Sequence, residues 1–177
     1  AELEDTSAEK RICDKKDNCS LVDITPFKPI ITGTEHPDGR IAIAGFGPAG
    51  MFAALVLAEA GYHPVVFERG SDVDSRADAV SKFWTGGKFS TENNVQFGEG
   101  GAGTFSDGKL NTLVKDKFGR NHFVLKEFVK HGAPEEILYE NKPHIGTYLL
   151  RNVVAGIREE IKSLGGDVRF EAKVTDL

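Results

Sequence analysis

The sequence has few cysteines, no long apolar run and no leader-like start. Its two cysteines, Cys13 and Cys19, have a spacing that fits neither a zinc site nor a disulfide framework. No stretch of about 20 apolar residues is present, and no basic start is followed by a hydrophobic core and a cleavage site. We therefore expect a soluble, reduced, cytoplasmic protein with no membrane span and no metal site.

Positive charge is also sparse. The net charge is −5, and basic residues form no run longer than two. The electrostatic footprint of a nucleic-acid-binding protein is therefore missing, and we expect no nucleic-acid partner. A chain of 177 residues buries roughly two thirds of the surface that its unfolded form exposes, which is enough for one globular domain.

The pattern of the chain changes at Arg40. Residues 1–39 have no sustained periodicity and are interrupted by prolines, so we expect an N-terminal extension or the tail of a preceding domain. Residues 40–177 predict an α/β domain that begins with a strand near Ile41, an alanine-rich helix over 51–60 and a second strand at 65–67. Strand, helix and strand in this order imply a parallel pair with a right-handed crossover.

A glycine fingerprint, Gly45-Phe46-Gly47-Pro48-Ala49-Gly50, lies between the first strand and the helix. In such a G-x-G-x-x-G motif the glycines permit a tight turn, close approach of a pyrophosphate and close packing of helix on strand. The helix N-terminus offers N–H groups and partial positive charge to the phosphates. The sequence therefore predicts a Rossmann-like dinucleotide site; the alternative is a glycine-rich turn in another α/β domain.

An acidic residue follows at the position that such a site requires. Glu68 ends the second strand, 18 residues after Gly50. A carboxylate at this point accepts hydrogen bonds from the adenosine ribose and repels a 2′-phosphate. We therefore expect FAD or NAD as the ligand, and not NADP.

A second glycine-rich segment covers residues 97–109. Bare backbone of this kind is either a flexible linker or a surface that a flat ligand touches, and two phenylalanines and a lysine favour the ligand surface. Gly103 to Lys109 imitates a Walker A motif, but Leu110 stands where Ser or Thr must hold Mg²⁺. A nucleotide triphosphatase is therefore disfavoured.

Periodicity predicts further elements downstream. Apolar spacing indicates helices over 72–84 and 121–130, a short one after Pro134, and a long one that begins with Thr147 as its N-cap and stops at residues 165–166. Alternation from Val168 to Val174 predicts a final strand. Trp84, at the end of its helix, fits the core better than a flavin-stacking position.

Four segments, at 45–50, 68–70, 94–110 and 142–147, together resemble one known family. It is the family of FAD-dependent dehydrogenases, also called NAD(P)/FAD-dependent oxidoreductases, within the two-dinucleotide-binding-domain flavoproteins. The likeness covers about residues 24–177. Family members are considerably longer, so the resemblance implies an N-terminal portion with an incomplete sheet, with weak FAD affinity and no turnover by itself.

The resemblance also implies which residues hold the cofactor. Residues of the first fingerprint face the pyrophosphate, those after the second strand face the adenosine, those of the second glycine segment face the middle of FAD, and the final strand lends backbone groups to adenine. By matching position these are Gly45, Gly47, Pro48, Ala49, Gly50, Glu68, Arg69, Gly101, Ala102, Gly103, Thr104 and Val174.

Two functions follow from these observations. The first is an FAD-dependent oxidoreductase that passes hydride equivalents between the flavin and a small-molecule substrate or NAD(P)H. The second is a non-catalytic module that binds FAD or NAD. The sequence identifies no catalytic residue, since His144 and Lys109 fit a surface or satisfied-core role better than a catalytic one. It does not indicate an oligomeric state.

Overall fold

The computed structural model is an α/β arrangement in which a small parallel sheet packs against helices. It describes residues 6–16, 18–21, 26–29, 37–110, 115–140 and 142–176. The elements in chain order are α1 (Thr6–Cys13), β1 (Ala42–Ala44), α2 (Pro48–Glu59), β2 (Val65–Phe67), α3 (Val73–Trp84), α4 (Arg120–Lys130), α5 (Thr147–Ser163) and β3 (Asp167–Arg169), with 3₁₀ turns at Ala102–Phe105 and Glu135–Leu138. The predicted α/β class is confirmed at this level.

The sheet has the order β1-β2-β3, and both strand pairs are parallel. The register places Ile43 beside Val66, and Val66 beside Val168. The predicted strands therefore form, but the last one is shorter than its alternating pattern suggests. Glu171 adopts a left-handed φ of 54°, and its N–H and that of Ala172 donate to carbonyl groups beyond the end of β2. The chain thus leaves the regular parallel ladder after Arg169 but stays hydrogen-bonded to residues 68–70.

The core lies between α2 and α5. The buried face of α5 carries apolar side chains three or four residues apart, as an amphipathic helix requires: Leu150, Val153, Val154, Ile157 and Ile161. The short side chains of α2 allow this helix to approach the sheet and α5 together, and its buried residues are Met51, Ala54, Leu55 and Ala58. Burial of this continuous apolar surface supplies the main favourable free energy of the fold.

Several predicted helix details differ in the structure. The N-cap of α5 is Gly146, and Thr147 instead donates a hydrogen bond from its hydroxyl to the Ser106 carbonyl. Trp84 is 67% exposed, so its predicted core role is wrong. The Asp72 carboxylate caps α3 by accepting from the N–H groups of the third and second helical residues. Such caps depend on local backbone geometry that periodicity does not reveal.

The N-terminal region contains structure that the sequence did not predict. Helix α1 precedes a turn, and Phe27 packs edge to face against Phe123 of α4 at 5.3 Å between ring centroids. Two short apolar segments precede Arg40, at residues 21–24 and 30–31. Only Leu21 of these falls within the described residues, and it is exposed. No helix in the described ranges is long and apolar enough to cross a membrane.

Ile157 tests the importance of the α2–α5 core. This side chain is fully buried, and we expect Ile157→Ala to lower the free energy of unfolding by about 2–5 kcal/mol, because a cavity replaces it. The exposed Lys162→Ala variant is the control, with an expected change of about 0.5 kcal/mol or less. Urea denaturation followed by circular dichroism measures both; equal small losses would contradict this packing.

Candidate functional site

A cavity of about 290 Å³ lies where β1 and β2 end. In open parallel sheets, ligands bind outside the carboxyl ends of the strands. The lining residues are Ala44, Gly45, Gly47, Phe67, Glu68, Arg69, Gln96, Phe97, Gly98, Gly101, Lys173 and Val174. Six of these are among the residues that the sequence analysis predicted to bind the cofactor: Gly45, Gly47, Glu68, Arg69, Gly101 and Val174. The fold therefore brings residues from four distant segments to one cavity.

The three fingerprint glycines are glycine for different reasons. Gly45 has a φ of +90°, which side chains rarely adopt. A Cβ on Gly50 would collide with the Gly45 carbonyl oxygen. At Gly47, by contrast, φ is −74° and a Cβ would meet only the Gly101 Cα at 3.9 Å, an ordinary contact. The fold itself therefore requires glycine at 45 and 50 but not at 47.

Helix α2 presents an uncapped N-terminus beside this cavity. Gly47 is its N-cap, no side chain caps the first turn, and the first turn contains no acidic residue. Pro48 takes the first helical position, where its missing N–H costs nothing. The free N–H groups and the helix dipole thus favour an anion next to Gly47.

Glu68 is 4% exposed and links three backbone segments. Its Oε2 accepts from the Phe46 N–H at 2.7 Å, and its Oε1 accepts from the N–H groups of Gly70 at 2.9 Å and Gly98 at 3.1 Å. A carboxylate has about four lone-pair sites, so one remains for a ligand hydroxyl. Removal of this side chain would leave three buried N–H groups without acceptors, so its effect would not report on a ligand alone.

The second glycine segment packs directly on the first. The Gly100 N–H donates to the Phe46 carbonyl at 2.9 Å, and a Cβ on Gly101 would lie 3.2 Å from Pro48 Cδ. Gly103 and Thr104 line a neighbouring cavity of about 110 Å³ together with Pro48. The remaining predicted residues, Ala49, Gly50 and Ala102, line neither cavity.

Arg76, which the sequence analysis missed, holds this segment in place. Its side chain is fully buried on α3, and its guanidinium donates hydrogen bonds to four carbonyl groups: those of Gly98 and Glu99 in the second segment, and those of Asn94 and Val95 just before it. Burial lowers its pKa to about 10, opposed by the charges of Glu68 and Glu99, so it is a cation at neutral pH. The available signal was a charged residue on the apolar face of α3.

Glu99 is a second buried charge at the same junction. It is 0% exposed, and its Oε2 accepts from the Val73 N–H and from Arg158 Nη1, both at 2.7 Å. Its Oε1 is buried and has no hydrogen-bond partner among the described residues. Burial raises the pKa of Glu99 to about 7, although Arg158 and the Val73 N–H oppose the shift. This carboxyl group ties the second glycine segment to α3 and α5.

The predicted adenosine-end residues lie on the outer side of the cavity. Arg69 donates to the Glu92 carboxylate, with Nη2 to Oε2 at 2.7 Å, and stacks over the Phe97 ring at 3.9 Å. Lys173 Nζ donates to the same carboxylate at 3.1 Å. Both bonds lower the pKa of Glu92. Val174 is 41% exposed at the cavity wall.

The polar residues considered for catalysis lie at the surface. Lys109 forms an ion pair with Asp107 at 2.9 Å, which raises the lysine pKa, and it borders the smaller cavity. His144 is exposed, with Nε2 2.7 Å from the Asp107 carbonyl oxygen. Neither residue lines the 290 Å³ cavity.

One cluster away from this site has metal-ligand chemistry. Ligand atoms of Glu127, His131 and Glu160 lie within 4.8 Å of one another. The ammonium group of Lys130 lies 2.6 Å from Glu160 Oε1 and 3.3 Å from Glu127 Oε2. Lys130 thus pairs with both carboxylates, and His131 Nε2 lies 2.7 Å from Glu160 Oε2, so the contacts of the cluster are those of an ion-pair network between α4 and α5.

Comparison with known proteins adds a relative without a described activity. No family model matches the chain. An uncharacterized protein of Clostridium beijerinckii is 56% identical over 164 residues, which cover 93% of this chain and 30% of that protein. The chain thus spans less than a third of the length of the curated relative it matches.

The buried Glu99 predicts a specific pH dependence. The pKa of Glu99 is about 7 in the fold, and its ordinary value is 4.5. Between these pH values the folded state therefore binds more protons than the unfolded state. Its contribution to stability therefore falls as pH rises from about 4.5 to about 7, by roughly 3 kcal/mol in total.

We expect Glu99→Gln, which cannot titrate, to lack this decline relative to the wild type. Urea denaturation across this pH range measures the free energy of unfolding of the wild type and of the variant. Glu135→Gln, which removes an exposed carboxylate, is the matched control and should follow the wild type. A constant difference between wild type and Glu99→Gln at every pH would refute the assignment.

Proposed function

We propose that this chain forms the FAD-binding part of a flavoprotein oxidoreductase with a Rossmann-like domain. The observation that carries the proposal is Gly47. It lines the cavity at the strand ends, beside an uncapped helix N-terminus, at a position where the fold itself would accept a side chain. The close approach of a pyrophosphate explains a glycine at this point.

The donors around the cavity fit the parts of a dinucleotide. The first fingerprint and the N-terminus of α2 would hold the pyrophosphate. Glu68, with one lone-pair site remaining, would accept a ribose hydroxyl, while Arg69 and Val174 border the region for adenosine. Gly101, with the adjoining turn at Ala102–Phe105, would lie along the middle of the cofactor.

FAD supplies hydride transfer when it is bound, and this chain's residues bind and orient it. Arg76 and Glu99 fix the second glycine segment against α3 and α5, so the backbone that faces the cofactor is formed before binding. Such preorganisation lowers the entropic cost of association. A small-molecule substrate or NAD(P)H would be the electron partner.

A non-catalytic dinucleotide-binding module is the second candidate. It is favoured by the lining of the 290 Å³ cavity, which contains no histidine or cysteine and whose one buried carboxylate, Glu68, already accepts three backbone hydrogen bonds. The cavity is also at the small end of ligand sites, which span roughly 300–1,000 Å³. These residues therefore enclose only part of a dinucleotide.

Gly47 provides the test of FAD binding. We expect Gly47→Ala to weaken FAD binding by at least about tenfold, or 1.4 kcal/mol, because its methyl group occupies the pyrophosphate position. Its melting temperature should stay close to that of the wild type, since the methyl group meets only an ordinary contact. Titration followed by flavin fluorescence measures the affinity.

Gly39→Ala is the matched control, because a Cβ there has no neighbour within 4 Å and the residue does not line the cavity. It should bind FAD as the wild type does. Equal affinity of the Gly47→Ala variant and the wild type would contradict the proposed site.

The oxidoreductase and the binding module differ in one measurable property. If the full-length protein is an oxidoreductase, its bound flavin should be reduced anaerobically by NADH, NADPH or a substrate, with loss of the flavin absorbance band. Mass spectrometry of the released cofactor identifies the ligand first. A bound dinucleotide that no biological reductant reduces would favour the binding module.

A further inference from the structure

The two cysteines are brought together beyond the end of α1. Cys13 is the last residue of this helix, and a turn follows in which the Lys16 N–H donates to the Cys13 carbonyl and the Cys19 N–H donates to the Lys16 carbonyl. As a result, the two Sγ atoms lie 3.2 Å apart. Both thiols are free and half-buried.

The spacing of the two cysteines in the sequence does not reveal this contact. A disulfide has a sulfur–sulfur distance of about 2.05 Å, and the two sulfur atoms are already in contact at 3.2 Å. We propose that Cys13 and Cys19 are a reversible dithiol–disulfide pair that reacts with low-molecular-weight disulfides such as oxidised glutathione. The proposal does not depend on the flavin site.

The reaction proceeds by two thiol–disulfide exchanges. The thiolate of one cysteine attacks a sulfur of the external disulfide, forms a mixed disulfide and releases one external thiol. The thiolate of the other cysteine then attacks the protein sulfur of that mixed disulfide, forms the Cys13–Cys19 bond and releases the second external thiol. Two protein thiols are oxidised, one external disulfide is reduced by two electrons, and the two thiol protons pass to the released thiols.

The surroundings of the pair set its rate. The hydrogen bond with Cys19, burial, and the nearby charges of Asp14 and Glu9 raise the pKa of the Cys13 thiol above 9.0. A thiol with a raised pKa is mostly protonated at neutral pH and attacks slowly. The rate of exchange should therefore rise with pH. Slow exchange at neutral pH fits a pair that equilibrates with a pool of small thiols better than it fits a rapid peroxide sensor.

The test is an equilibrium with mixtures of reduced and oxidised glutathione. The chain is equilibrated in native buffer or in guanidinium chloride, quenched with acid, alkylated and weighed by mass spectrometry, which separates dithiol, intramolecular disulfide and glutathione adduct. We expect the equilibrium constant for the intramolecular disulfide to be at least about tenfold larger in native buffer than in guanidinium chloride, because the fold holds the two sulfurs in contact. This ratio is equivalent to about 30 mV.

A shifted pair provides the matched control. The double variant Cys19→Ser/Ser20→Cys keeps two thiols in a loop only one residue longer, so its equilibrium in denaturant should be almost unchanged. In native buffer its intramolecular disulfide should be no more favoured than in denaturant, because the residue in contact with Cys13 is residue 19 and not residue 20. Cys19 is half-buried and Ser20 is exposed, and neither belongs to the hydrophobic core, so the fold of the remaining chain is preserved.

Two results would overturn the proposal. The first is an equilibrium constant that is no larger in native buffer than in denaturant. The second is a native chain that accumulates glutathione adducts on both cysteines without the intramolecular disulfide.

Discussion

The buried guanidinium of Arg76 is the interaction on which the candidate site depends. Four carbonyl groups between residues 94 and 99, at the start of the second glycine-rich segment, accept hydrogen bonds from this cation. An isolated buried charge would be costly, but Glu68 and Glu99 lie close enough to favour the charged form. A flexible sequence is thereby fixed in a single conformation.

The same charge network joins the two glycine-rich segments into one surface. The Glu68 carboxylate accepts hydrogen bonds from an N–H group of the first glycine motif and from one of the second segment. The Glu99 carboxylate accepts one from the first residue of α3 and one from Arg158 of α5. Carboxylate and guanidinium groups therefore alternate through the interior next to the cavity. Because every partner is a backbone group or an opposite charge, the network specifies the geometry of this part of the interior.

Features that depend on neighbours in the chain were predictable. The turn at Gly45, the helix α2 and the acid after β2 follow from spacing, since a strand, a tight turn and a helix impose local rules. Features that depend on distant groups were not. Trp84 lies at an apolar helical spacing but is 67% exposed, and β3 ends shortly before Glu171, where the backbone takes a left-handed conformation.

The sequence by itself determined the parallel α/β pattern, the fingerprint and the position of Glu68, because these are periodicities and short motifs. Tertiary structure decided which residues meet. It surrounded Arg76 with carbonyl groups and left Gly47 with only an ordinary contact. The physical reason is that burial and hydrogen-bond partners are set by the closure of the chain in space, which the linear order of residues does not encode locally.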